Sequence, residues 1–168
     1  MSVVAYSTVD SPIGELLLVG DGRALRGLHM VEGRRPVGAH DDWVRSTGPF
    51  DDVRAQLEEY FDGRRTSFDV PLAMEGTSFQ RVVWNALLEI PYGETTTYGE
   101  LARRVGQPGA ARAVGLANGS NPVAVIVPCH RVIGANGKLT GYGGGMQNKR
   151  ILLDLERGAE TLGLCTDP

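Results

Sequence analysis

Thr97-Tyr98-Gly99-Glu100-Leu101-Ala102-Arg103-Arg104-Val105 leads through Gly106 and Gln107-Pro108-Gly109 into Ala110-Ala111-Arg112-Ala113-Val114-Gly115-Leu116-Ala117-Asn118. Thr97 and Glu100 have the spacing of a capping box, so a helix opens there and turns Leu101, Ala102 and Val105 inward. Pro and Gly end it, and residues 110–118 form the next helix. Two short helices across a Gly-containing turn of three or four residues make a helix-turn-helix. The small residues of the second helix would let its backbone approach a nucleic-acid groove closely, with Arg112 in the first turn. The same residues would equally permit tight internal packing. A helix this poor in Arg, Asn and Gln pairs is ill equipped to read major-groove edges. It suits recognition by shape and phosphate, in the minor groove.

Upstream, Thr77-Ser78-Phe79-Gln80 is another capping box. Phe79, Val82, Val83, Ala86, Leu87 and Ile90 trace one helical face behind it, and Pro91 stops the helix. The first thirty residues change character. Residues 3–9, 15–19 and 24–30 read as strands, separated by Ser11-Pro12-Ile13-Gly14 and by Asp21-Gly22, a strong hairpin signal. Residues 31–50 read as a loop. A helix spans about 51–62, with Val53, Leu57, Tyr60 and Phe61 on one face and Gly63 at its end. Residues 66–75 look like a connector with one short strand. The expected fold class is α+β, in two domains. A small N-terminal antiparallel-sheet domain with a helix covers 1–76. A mostly helical, winged-helix-like C-terminal domain covers 77–168.

The charge divides along the same line. Through Gly76 there are 8 Arg and no Lys against 13 Asp and Glu, whereas residues 77–157 carry 9 Lys and Arg against 5 acids. A basic half beside an acidic half suggests that the basic half meets a polyanion. No stretch approaches the ~20 apolar residues of a membrane span. The start lacks a basic and then apolar leader, so a cytoplasmic protein is expected. With two cysteines, Cys129 and Cys165, and three histidines, His29, His40 and His130, neither a structural disulfide nor a metal site is expected.

Val123-Ala124-Val125-Ile126-Val127 is an unbroken apolar run between Asn121-Pro122 and Pro128. Its length argues for a buried strand rather than a helix. It delivers Cys129-His130-Arg131 at its end, and a nucleophile on a rigid element is well positioned. A neighbouring imidazole can lower a thiol's pKa from ~8.5 by one to several units. Adjacent residues of an extended chain point to opposite faces, which disfavours a direct Cys129–His130 hydrogen bond, but Pro128 turns the chain and a water can bridge the pair. The plain alternative is that Cys129 is a small buried hydrophobe.

Pro128-Cys129-His130-Arg131-Val132-Ile133, preceded by Ala110-Ala111-Arg112-Ala113-Val114-Gly115 and Asn121-Pro122, resembles the methylated-DNA–protein-cysteine methyltransferases, or O6-alkylguanine-DNA alkyltransferases. Tyr98, Gly141-Tyr142-Gly143-Gly144-Gly145, Lys149 and Glu156 match in order and spacing, so the resemblance covers residues 77–156. It implies a protein that moves an alkyl group from guanine O6, or from O4 of alkylthymine, onto its own cysteine, irreversibly and without a cofactor. Cys129 matches the acceptor, His130 the base acting through water, and Glu156 the acid that orients the imidazole, a triad logic. Asn121 matches a residue bracing the turn around the site. Tyr98 matches a phenol that helps rotate the nucleotide and protonates the departing base, and Lys149 matches a lysine beside the site. Arg112 matches a finger filling the stack vacated by a flipped base, with Ala110, Ala111, Gly115 and Gln107 among the DNA contacts. Tyr142, Gly143, Val132 and Asn118 are expected to line the base pocket. Gly143 departs from relatives with serine there, which leaves a hydrogen bond to O6 to backbone amides. No N-terminal cysteine is available for the zinc some relatives bind, no phosphotriester-sensing domain is expected at this length, and Cys165 matches no motif.

The implied partner is double-stranded DNA bearing O6-alkylguanine. The protein is expected to act as a monomer, with cooperativity on DNA left open, and the abundance of Arg over Lys hints at a GC-rich bacterial genome. A non-catalytic damage-binding protein is the rival; such relatives lack the cysteine. A helix-turn-helix regulator would need only a structural Cys129. A cysteine peptidase would need His29 or His40 at the site.

Overall fold

The computed structural model describes residues 4–31, 43–137 and 145–158. β1 (Ala5–Val9), β2 (Leu16–Gly20) and β3 (Leu25–Met30) form an antiparallel meander. The hairpin between β2 and β3 turns at Asp21, whose Oδ1 accepts from the amides of Arg23 and Ala24. A two-residue β4 (Val44–Arg45) then pairs parallel with β1, giving the order β3-β2-β1-β4. The loop expected over 31–50 thus contains a strand, though two residues carry too little pattern to be read. α1 (Asp51–Phe61) follows as expected, with Val53, Leu57 and Tyr60 buried. The strand expected within 66–75 reduces to a single bridge. Leu25 donates to Pro71 O and accepts from Ala73 N, with Leu72 its partner.

The C-terminal part begins with the capping box as read. Thr77 Oγ1 accepts from Gln80 N at 3.1 Å, and Gln80 Oε1 accepts from Thr77 N at 2.9 Å. These bonds satisfy two amides at the start of α2 (Ser78–Leu87), a cap worth ~1 kcal/mol. Trp84 of α2 is buried and donates its indole N–H to Ala117 O at 2.8 Å. Gly76 passes so close to this indole that any Cβ there would overlap it.

β5 (Thr96–Thr97) precedes α3 (Tyr98–Arg104), and α4 is Ala111–Gly119. Thr97 Oγ1 caps α3 through Glu100 N, but the Glu100 carboxylate binds Arg103 and does not return to close a box. The turn of the helix-turn-helix is six residues rather than three or four, because α3 ends at Arg104 and α4 starts only at Ala111. Gly106 takes φ +76°; its N–H bonds Arg103 O, while that of Gln107 bonds Ala102 O. These are the two reversed bonds of a Schellman ending.

The apolar run over 123–127 is not the buried strand its length suggested. It is a compact turn: Val127 N bonds Val123 O, Ile126 N bonds Ala124 O, and Val125 has φ +69°. A left-handed β-branched residue costs of the order of 1–3 kcal/mol, and the surroundings must over-determine it. They do so twice. Asn121 Oδ1 accepts from Val123 N at 3.0 Å while its Nδ2 donates to Val127 O at 2.8 Å. The edge of β3 also grips the segment, with Leu28 N to Pro122 O at 2.9 Å and Ala124 N to Leu28 O at 3.1 Å. The run is apolar because Val123, Val125, Ile126 and Val127 are all buried between the two parts of the chain, a burial that looks alike in a strand and in a turn.

A 3-10 turn, Cys129–Arg131, and β6 (Val132–Ile133) come next, and β6 pairs parallel with β5. Gly145, at φ +98° where glycine is favoured, leads into α5 (Met146–Glu156). Buried side chains from the sheet, α1, α2, α3, α4 and α5 form one continuous core. Among the described residues no helix is long and apolar enough to cross a membrane.

Candidate active site

Three elements deliver the site. The 3-10 turn carries Cys129, His130 and Arg131; α5 carries Lys149 and Glu156 on faces turned toward it; and α1 brings Tyr60 from the N-terminal sheet domain. The β5–β6 pairing sets Thr96 against Val132 and Thr97 against Ile133, so the chain leaving the cysteine is fastened to the chain entering α3 at Tyr98.

Glu156 is the hub. His130 Nε2 lies 2.7 Å from Glu156 Oε2, Arg131 Nε donates to Oε1 at 2.6 Å, and Arg131 Nη2 donates to Oε2 at 3.0 Å. The Tyr60 hydroxyl donates to Oε2 at 2.5 Å. Arg131 is anchored in turn by Nη1 to Ile90 O and stacks over Tyr92 at 5.8 Å. Burial alone would raise the Glu156 pKa. The hydrogen bonds of His130 and Arg131, with the charge of the guanidinium, outweigh it and hold the carboxyl at about 2. Burial pushes His130 the other way from charging, below the usual imidazole range, despite the opposing carboxylate. The direction for the pair is therefore a neutral imidazole on an ionised carboxylate. Glu156 can accept only a proton-bearing nitrogen, so the His130 proton sits on Nε2. Nδ1 is then the basic nitrogen, and it makes no hydrogen bond among the described residues.

Cys129 is 6% exposed, and Asn118 Nδ2 donates to its carbonyl at 3.3 Å. Lys149 is buried, with Nζ donating to Val132 O at 2.7 Å. Burial brings its pKa down to about 8, opposed by the charge of the nearby Cys129. A cation in this position favours the thiolate form of the cysteine.

The other expected residues fall in two groups. Asn121 is in the turn over 123–127 as described, and Val132 is fully buried in β6. Asn118 is buried beneath the Cys129 backbone. Tyr142 and Gly143 lie outside the described residues, as does Cys165. On the helix-turn-helix, Arg112, Ala113, Leu116 and Gly119 share the exposed face of α4, with Leu116 72% exposed, and Gln107 is exposed in the turn. Ala110 precedes α4 without a side-chain cap, Ala111 is its first residue, and a Cβ on Gly115 would stand 3.6 Å from the Tyr98 ring. Tyr98 and α4 are thus neighbours.

Sequence reasoning missed Arg131, Tyr60 and the exposed Leu116. The first had a signal: an arginine inside an apolar segment needs a buried acid. Tyr60 had only a hydroxyl on an otherwise apolar helix face.

Comparison with known proteins agrees with this arrangement over most of the chain. The family model for the 6-O-methylguanine DNA methyltransferase DNA binding domain matches residues 78–158, and that for the ribonuclease-like domain of the same family matches residues 4–74. A methylated-DNA--protein-cysteine methyltransferase of Mycobacterium bovis is 58% identical over 156 residues, which are 92% of this chain and 93% of the relative. Its namesake in Methanosarcina acetivorans is 56% identical over 151 residues, 90% of this chain and 97% of the relative. The crystal structure of Mycobacterium tuberculosis OGT in complex with DNA superposes with a TM-score of 0.86 at 55% identity, covering 96% of this chain and 99% of that one. The chain belongs to the 6-O-methylguanine DNA methyltransferase family.

Proposed function

We propose that this protein repairs DNA by direct reversal, taking the alkyl group of O6-alkylguanine onto Cys129 in a single, irreversible turnover. The observation that carries this reading is the His130–Glu156 pair beside the cysteine, with Nε2 committed to the carboxylate and Nδ1 available as a base. In the proposed step the Cys129 thiol gives its proton, through a bridging water, to Nδ1. The thiolate attacks the alkyl carbon, a C–S bond forms, and the C–O6 bond breaks with its electron pair passing to the base. Tyr98 gives its proton to that base, so a neutral guanine leaves rather than an anion, and solvent reprotonates Tyr98 as His130 releases the proton it took. Lys149 supports the thiolate by its charge. The product thioether has no route back to a thiol.

The substrate is duplex DNA carrying the alkylated base, and O4-alkylthymine offers the same chemistry at its oxygen. O6 is hidden in the stack, so the nucleotide must be extruded at a cost of a few kcal/mol. The exposed face of α4 supports a minor-groove approach by its small side chains, with Arg112 filling the vacated stack and the uncapped first turn facing phosphate. Ala110, Ala111, Gly115 and Gln107 are the proposed close contacts, and Tyr142, Gly143, Val132 and Asn118 the surroundings of the extruded base. The working division is 1–76 and 77–168. One copy suffices for the reaction, in the cytoplasm of a bacterial cell.

Incubation with O6-benzylguanine followed by intact-mass measurement tests the chemistry. One added benzyl group is expected, mapped to Cys129 and missing in Cys129→Ala. An unchanged mass, or benzyl on the alanine variant, would count against the proposal.

A further inference from the structure

Besides Arg131 Nη2, Glu156 Oε2 serves two donors of different origin. His130 belongs to the same C-terminal part, whereas Tyr60 lies 96 residues away in sequence, on α1 of the N-terminal sheet domain. The Tyr60 side chain is fully buried, and its ring is held by Phe61 and Tyr92 edge-on at 5.1 and 6.3 Å and by Phe68 at 5.3 Å. The phenolic oxygen is therefore held in one place, and a buried phenol beside a carboxylate stays protonated and donates.

We propose that Tyr60 is a positioning residue through which the N-terminal domain sets the basicity of His130, by sharing Glu156 Oε2 with the imidazole N–H. The proposal rests on the alkyl-transfer reading, in which His130 is the base. A carboxylate oxygen that already accepts a strong hydrogen bond has less charge to offer an imidazolium. With Tyr60 in place, Glu156 can orient His130 without drawing a permanent proton onto it, and Nδ1 stays open. The other groups facing the pair do not substitute for this hydroxyl. Arg131 from the 3-10 turn grips both oxygens, Tyr92 after α2 faces Glu156, and Lys149 on α5 faces His130. The first and last of these disfavour a charged imidazole, as Tyr60 does, but Lys149 makes no bond to Glu156, and Arg131 reaches Oε2 at 3.0 Å against 2.5 Å for the Tyr60 hydroxyl. The N-terminal domain thus reaches the chemistry, in addition to holding the 122–124 segment on the edge of β3.

Tyr60→Phe keeps the ring and its aromatic contacts while deleting the hydroxyl. Imidazole resonances are the direct readout, since the chain has three histidines. The His130 titration midpoint is expected to rise by about half a pH unit or more. The acid edge of the pH–rate profile for benzyl transfer from free O6-benzylguanine should move the same way. Site-specific fluorotyrosine at position 60, a stronger donor of similar size, should lower the midpoint, and it covers the case in which Tyr60→Phe does not fold. A midpoint unmoved in the variants, or a rate that falls equally at every pH without a shift, overturns the role of Tyr60. Failure of the wild-type chain to accept benzyl overturns the alkyl-transfer reading instead, and the imidazole midpoint still judges Tyr60.

Discussion

Glu156→Gln is expected to abolish measurable alkyl transfer and to cost the fold about 3–5 kcal/mol, the range for breaking a buried ion pair from one side. The amide cannot answer Arg131 with charge, and with one oxygen in place of two it leaves the buried guanidinium without a counter-ion beside Ile90 O and the ring of Tyr92. It also sets an NH2 donor where one carboxylate oxygen accepted, so an oxygen turned to Arg131 at Oε1 leaves His130 Nε2 and the Tyr60 hydroxyl facing a donor. The effect has a pH signature. The Glu156 pKa in the fold, about 2, lies below its ordinary 4.5, so the unfolded chain binds this proton more readily. Its contribution is complete above pH ~4.5 and is lost as the pH falls toward 2. Urea midpoints recorded against pH should therefore fall in acid for the wild type, and this component of the slope should vanish in Glu156→Gln. A variant that keeps both stability and the acid slope would show that Glu156 is not the hub.

Arg112→Ala is expected to slow repair of alkylated duplex by about 100-fold, while reaction with the free alkylated base changes far less. The asymmetry follows from position. Arg112 lies on the exposed face of α4, and no described contact links it to Cys129, His130 or Glu156. Its proposed task is to offset the few kcal/mol of unstacking, and each 1.4 kcal/mol is about a factor of ten in rate. Parallel single-turnover assays on duplex and on free O6-benzylguanine check it. Equal slowing on both substrates would mean that Arg112 acts on the chemistry or the fold, and the finger role would be lost.

These expectations draw on parts of the molecule that were unequally legible. Thr77 and Thr97 announced α2 and α3 because a cap is a local device, written in three or four consecutive residues. Asp21-Gly22 announced its hairpin for the same reason. The Cys129-His130 pair and Glu156 could be named through family resemblance, and the structure brings the latter two within 2.7 Å. What could not be read depends on distant partners. The run over 123–127 looks like a strand because burial from both sides erases the periodicity that would separate strand from turn. Its left-handed Val125 is imposed by Asn121 and by the edge of β3, roughly a hundred residues upstream. Arg131 and Tyr60 have meaning only once Glu156 is placed between them. The length of the α3–α4 turn was misjudged because Gly106 ends α3 before the Pro and Gly that seemed to mark the break, and α4 starts only at Ala111.

Titration of a duplex containing a single O6-methylguanine against increasing protein tests most directly whether Cys129 is a one-use acceptor. The expected result is repair that rises in proportion to protein and stops at one methyl group per chain, each recovered as S-methylcysteine at position 129. Repair continuing past one equivalent, or proceeding in Cys129→Ala, would contradict it.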